Sequence, residues 1–191
     1  MKRKLWSGWV FAAAIVIGLL FQVTVYAAVI DPAAGEYVDG KYTNKAPAFS
    51  VQLPKTWVAQ KPWPAETYRI ANPNEWLIPV STLIITDKAK DAPALGSDAA
   101  GEAYLKLLKD TNEGSSRHRI ESKEVVNLSD GTQAMALIVK WRFKDGQTTL
   151  VTAVLVAYKD DKIINLTNTT VAGGAPPPEI LLAIIKTLTF K

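Results

Sequence analysis

The chain of 191 residues has no cysteine, one histidine and no run of like charge longer than Lys2-Arg3-Lys4. Without cysteine there can be no disulfide, no thiolate metal ligand, no thiol nucleophile and no lipid carried on an N-terminal sulfur. The lone histidine, His118, stands between two arginines in SSRHRIES. A general base needs an orienting partner or a nucleophile beside it, and flanking cations repel a metal ion, so His118 reads as a solvated strand residue. No Gly-rich phosphate loop follows a strand, and no G-x-S-x-G elbow occurs. Asp160-Asp161 is bracketed by Lys159 and Lys162. A calcium site needs about six or more oxygens, so this pair reads as a turn. Gly173-Gly174 precede a helical pattern, but Pro176, Pro177 and Pro178 remove the N–H donors an anion cradle would use. No metal or cofactor is indicated. A hydrolase-type enzyme is left as a remote alternative, revived only if distant acids such as Glu66 and Glu75 meet in a cleft with shifted pKa values.

What is present begins with a leader. Lys2, Arg3 and Lys4 are followed by an uncharged stretch from Leu5 to Ile30. A basic start, an apolar core and small residues near Ala27 make a secretory signal over residues 1–27, with cleavage expected after Ala27. A membrane-spanning helix takes about 20 apolar residues, so Leu5–Ile30 is also long enough to anchor the chain. Both readings export the remainder to the periplasmic or extracytoplasmic side of a membrane.

The whole chain carries 22 basic and 18 acidic residues, a net +4. Residues 1–27 hold three of the basic ones and none of the acidic, so the exported part stands at 19 against 18, or +1. A near-neutral domain lacks the clustered positive charge that phosphate backbones demand, which argues against nucleic-acid partners.

Residues 28–35 read as a linker and 36–191 as one domain. Asp-Gly recurs at 39–40, 130–131 and 145–146 between strand-like segments, as in type I′ hairpins. Centring a hairpin on Asp145-Gly146 pairs Trp141 with Leu150 and Val139 with Thr152. One face then carries Met135, Leu137, Val139 and Trp141, and the reverse face Ala134, Ala136 and Ile138. Both faces are apolar, as in strands covered on each side. Two segments can supply the covers. SDAAGEAYLKLLKDTNEG starts on a capping Ser97 or Asp98, and PPPEILLAIIKTL repeats Ile180, Ile184 and Leu188 at helical spacing. The expected class is α+β: a single twisted, mainly antiparallel sheet flanked by helices.

In AFSVQLPKTWV, Phe49, Val51 and Leu53 point one way and Ser50 and Gln52 the other. Pro54 ends the strand, and Trp57 folds back over the apolar side. A Phe-x-Val-x-Leu-Pro-x-x-Trp strand after an N-terminal hairpin, with a terminal IIKTLTF, resembles the PsbP-like superfamily. That superfamily includes the extrinsic P subunit of photosystem II and DcrB-like bacterial envelope proteins. The resemblance spans roughly residues 36–191 and implies an α-β-α sandwich used for docking to other proteins.

Two stretches are candidate binding surfaces. Trp63, Tyr68 and Trp76 lie among Pro62, Pro64, Pro73 and Pro79. Prolines stiffen a loop and rigid aromatics favour interfaces, so Trp63 and Trp76 are expected to contact a protein, peptide or glycan. Asn165, Thr167 and Thr169 alternate on one face of the last long strand, either as a solvated edge face or as a groove for a partner strand or polar ligand. The expectation is an exported, non-enzymatic binding or assembly factor at a bacterial envelope, working through protein–protein contacts. The alternative is a carrier of a small-molecule or glycan ligand, which predicts a concave cavity near Trp63 or Trp76.

Overall fold

The computed structural model describes residues 34–74 and 77–191. The leader, most of the linker, Glu75 and Trp76 lie outside them. Among the described residues, no helix is long and apolar enough to cross a membrane.

The first hairpin joins β1 (Gly35–Val38) to β2 (Lys41–Asn44). Asp39 and Gly40 both take positive φ, 48° and 80°, as a two-residue type I′ turn requires. Next comes β3 (Phe49–Gln52), which stops just before Pro54 and pairs with β2 on one side. Its other side pairs with β11 (Thr189–Phe190), at the far end of the chain. These four strands form a sheet of their own, in the order β1-β2-β3-β11.

The larger sheet has seven strands, all antiparallel: β4 (Val58–Gln60), β5 (Tyr68–Ala71), β6 (Val80–Asp87), β7 (Ser116–Asn127), β8 (Gln133–Arg142), β9 (Thr149–Lys159) and β10 (Lys162–Val171). They are arranged β4-β5-β6-β10-β9-β8-β7. The β8–β9 register is the expected one, with Trp141 opposite Leu150 and Val139 opposite Thr152. Its turn is not type I′, because only Gly146 takes positive φ. The Asp145 carboxylate instead accepts from the Gln147 and Thr148 amides.

The expected class needs correction. The chain is mostly β, built on two antiparallel sheets, and not an α+β domain with one sheet between helices. Its described helices are α1 (Asp98–Thr111) and the short α2 (Pro178–Ile185). Alternation shows which side of a strand is buried, but not which neighbour completes its ladder. Local pattern alone therefore puts the N-terminal strands in one sheet with the rest, whereas β3 closes on Thr189 and Phe190.

The two sheets and α2 enclose one core. Phe49, Val51, Leu53 and Trp57 meet Tyr68, Leu155, Ile164, Leu166, Leu181 and Ile185 there, so the Phe-x-Val-x-Leu-Pro-x-x-Trp motif is architecture. The buried stripe of α2 is Leu181 and Ile185, continued by Leu188; Ile180, expected on it, is exposed. Asn168 reaches from β10 to the Leu181 carbonyl and fixes α2 in place.

The opposite face of the large sheet packs on α1. Ser97 caps this helix through its hydroxyl, which accepts from the Ala100 amide at 3.1 Å. Ala100, Tyr104, Leu105 and Leu108 bury against Met135, Leu137, Val139, Trp141, Val154 and Val156. Gly101 allows the approach, because a methyl group there would sit 2.9 Å from Ile120 Cδ1. This core lies over β7, β8 and β9, and the β6–β10 half of the face is left for the site described next.

Candidate ligand-binding groove

Strand β10 is the fourth of seven, yet its groove-side row, Asn165, Thr167 and Thr169, is polar. In an antiparallel sheet a polar row on a central strand marks the stretch of a face that is not packed into the core. The register places Thr167 opposite Thr82 on β6, and Thr169 opposite Thr152 on β9. The Thr82 and Thr167 hydroxyls are 2.8 Å apart, and those of Thr152 and Thr169 are 3.0 Å apart. Together these residues floor a cavity of about 360 Å³. The rest of its lining is largely apolar: Tyr104, Leu107 and Leu108 from α1, Ile78 just before β6, Val80 and Ile84 beside Thr82 on β6, and Trp141, Phe143 and Leu150 toward the β8–β9 turn. The size is at the small end of ligand pockets, which run from roughly 300 to 1,000 Å³.

Hydrogen-bond direction on the floor follows from Trp141. An indole N–H can only donate, and Trp141 Nε1 donates to Thr152 Oγ1 at 2.9 Å. Thr152 is buried, and its own hydrogen has no acceptor among the described residues except Thr169 Oγ1. The chain of bonds therefore runs Trp141 to Thr152 to Thr169, and the Thr169 hydrogen is left to face the cavity. Asn165 is 4% exposed, and among the described residues its side-chain amide has no hydrogen-bond partner. The residues opposite it, Ile84 and Val156, are apolar.

At the β5 end, Trp63-Pro64-Ala65-Glu66 forms a tight turn. The Glu66 amide donates to the Trp63 carbonyl at 3.0 Å, and Ala65 holds φ at 73°. Proline second and positive φ third is the type II pattern. Both Glu66 carboxylate oxygens are committed, Oε2 to the Trp63 amide at 2.8 Å and Oε1 to Arg69 at 2.9 Å. Arg69 in turn lies 3.8 Å from the centre of the Trp63 ring. Glu66 thus anchors a Trp63–Arg69 stack at the groove mouth, with the indole 46% exposed. Burial raises the Glu66 pKa despite the Trp63 amide and Arg69, and burial lowers that of Arg69 despite Glu66. Desolvation dominates in both partners.

Of the sequence candidates, the fold brings Trp63, Asn165, Thr167 and Thr169 to this one cavity. Tyr68 is fully buried on the opposite face, its ring 4.4 Å from that of Tyr42 and its hydroxyl 3.0 Å from Ser81 Oγ. Trp76 and Glu75 fall outside the described residues. His118 stacks on Trp141 with ring centres 6.1 Å apart, and its pKa is lowered by burial and by nearby Lys109. Asp160-Asp161 is the two-residue β9–β10 turn. Among the described residues, no group of three His, Asp or Glu is placed to hold a metal.

Sequence reasoning missed Arg69, Thr82, Thr152 and Trp141, and it named Glu66 only as a possible acid beside Glu75. One signal was in reach: Thr152 is the polar interruption in the row Leu150, Val154 and Val156. The pairing of Thr82 with Thr167 across a crossover leaves no trace in local sequence.

No family model matches the chain, and no curated protein matches it. Among solved structures, it is similar to cyanobacterial PsbP (CyanoP) from Synechocystis sp. PCC 6803. The TM-score is 0.61 at 14% identity, over 83% of this chain and 94% of that one. A protein of Bacteroides thetaiotaomicron VPI-5482 is similar with a TM-score of 0.50 at 15% identity, over 81% of this chain and 49% of that one. The fold is PsbP-like.

Proposed function

We propose that the chain is a non-catalytic binding module that works on the far side of a cell membrane and seats a small ligand in the groove over β6 and β10. The carrying observation is the uncovered polar floor at the middle of a seven-stranded sheet, walled by apolar side chains. The basic, then apolar, segment through Ile30 supports export. Glu66 is the buried carboxylate at the groove, and both of its oxygens hold the Trp63–Arg69 turn, an anchoring role without proton transfer. The concavity favours a small ligand over the flat contact of a protein docking surface. The PsbP-like likeness supports the architecture and says nothing of the ligand.

The test is a titration with N-phenyl-1-naphthylamine, a neutral dye that brightens in apolar sites. The expected result is saturable binding at one site, lost in Leu107→Trp, whose indole fills the groove from α1, with the circular dichroism spectrum unchanged. Unsaturable binding, or binding that Leu107→Trp leaves intact, would refute the groove as a ligand seat.

A further inference from the structure

We infer that the ligand of this groove is an uncharged amphipath, with an apolar chain or ring along the walls and hydroxyl or amide groups turned down onto the sheet. The inference rests on the groove reading above and adds the chemistry of the occupant. Three observations carry it. First, Asn165 lines the groove and its side chain makes no hydrogen bond to another described residue, although the residue as a whole is 4% exposed. Among the described residues the side-chain atom buried without a partner is Asn168 Oδ1, so the Asn165 amide is open to the groove. The cross-strand neighbours of Asn165, Ile84 and Val156, are apolar and offer its amide no bond, so a polar group in the groove is a fitting partner.

Second, the floor presents spare hydrogen-bonding capacity that is entirely neutral. Thr169 has a free hydroxyl hydrogen once Trp141 and Thr152 have set the direction of their bonds. In the Thr82–Thr167 pair one hydroxyl donates to the other, which leaves the second hydrogen unused. These groups match the hydroxyls of a sugar or polyol, or an amide.

Third, among the described residues no unpaired charge lies inside the groove. Arg69 and Glu66 neutralise each other at 2.9 Å. Asp145 keeps its charge but stands in solvent at the rim, bonded to the Gln147 and Thr148 amides and the Thr148 hydroxyl. An ionic head group seated on the floor would shed its water between apolar walls away from any buried counter-charge among the described residues, a loss that neutral hydroxyls do not suffer.

The experiment compares three probes that share an eight-carbon chain: octyl β-glucoside, octanoate and octyltrimethylammonium. Each is titrated below its micelle-forming concentration into the whole chain in detergent-free buffer and followed by calorimetry. The glucoside is expected to bind about tenfold more tightly than either ion, the worth of one or two net hydrogen bonds. Asn165→Leu should erase most of that preference while leaving the melting temperature unchanged or higher, because no side-chain hydrogen bond to another described residue is lost. An Asn held for structure would instead lower it. As a second variant, Asn165→Asp should shift preference toward octyltrimethylammonium. Equal binding of all three probes, tighter binding of either ion, or full glucoside affinity in Asn165→Leu would overturn the inference and leave the groove reading standing. Binding of none would overturn both.

Discussion

Replacing Thr152 by valine should cost more than its size suggests. The side chain keeps its shape and its β-branch, so strand propensity and packing are preserved. What disappears is the acceptor 2.9 Å from Trp141 Nε1, and the indole it served is only 4% exposed. A buried donor left unsatisfied costs about 1–3 kcal/mol, and the added methyl returns up to about 0.8 kcal/mol. The net loss is about 1–2 kcal/mol, or roughly 2–8 °C in melting temperature for a domain of this size. The same change at Thr167 strands only Thr82, at the open groove, and should stay within about 0.5 kcal/mol. Urea denaturation with an unchanged slope separates the two, and Thr152→Ser, which keeps the hydroxyl, should lie between Thr152→Val and the native protein. In a double-mutant cycle with Trp141→Phe, a coupling of about 1 kcal/mol is expected. A Thr152→Val protein as stable as the native one, or strict additivity with Trp141→Phe, would refute the assigned bond direction and the free Thr169 hydrogen derived from it.

The two tryptophans near the N-terminal strands should behave oppositely. Trp57→Ala, in the core between the sheets, is expected to cost ~3–5 kcal/mol without altering groove chemistry. Trp63→Ala, half exposed at the mouth, should stay within about 1 kcal/mol yet weaken dye binding severalfold. Equal loss of stability in both would contradict the placement of Trp63. Glu66 supplies a pH signature. Its folded pKa lies above the ordinary 4.5, so its contribution to stability is complete below that value and is lost as pH rises through the raised pKa. Against Glu66→Gln, the native protein should lose stability over that interval and run parallel above it; a difference of opposite sign would show that Arg69 outweighs desolvation. Asn168→Ala should destabilise by ~1–2 kcal/mol through loss of the bond to the Leu181 carbonyl, read by thermal unfolding.

Much of the fold was legible because it is local. The β8–β9 register followed from alternation about one turn, and α1 from its serine cap and apolar period. The separate small sheet was not legible, because β3 is completed by Thr189 and Phe190, whose pairing carries no local pattern. The same limit applied to the site. Asn165, Thr167 and Thr169 were visible as a polar row, but not as the middle of the sheet, since strand order brings β6 beside β10 across the intervening α1, β7, β8 and β9. Glu66 was visible only as an acid that could meet Glu75, and it is the type II turn folding Trp63 over Arg69 that makes Glu66 and Arg69 a buried pair.

The most direct test of the groove as a ligand seat is to titrate octyl β-glucoside into ¹⁵N-labelled protein and follow the side-chain N–H signals. The account predicts that the Asn165 amide pair and the Trp63 and Trp141 indole N–H peaks shift together along one saturation curve. Shifts confined to the basic concavity around Arg117, Lys140 and Arg142, with the Asn165 amide unmoved, would contradict it.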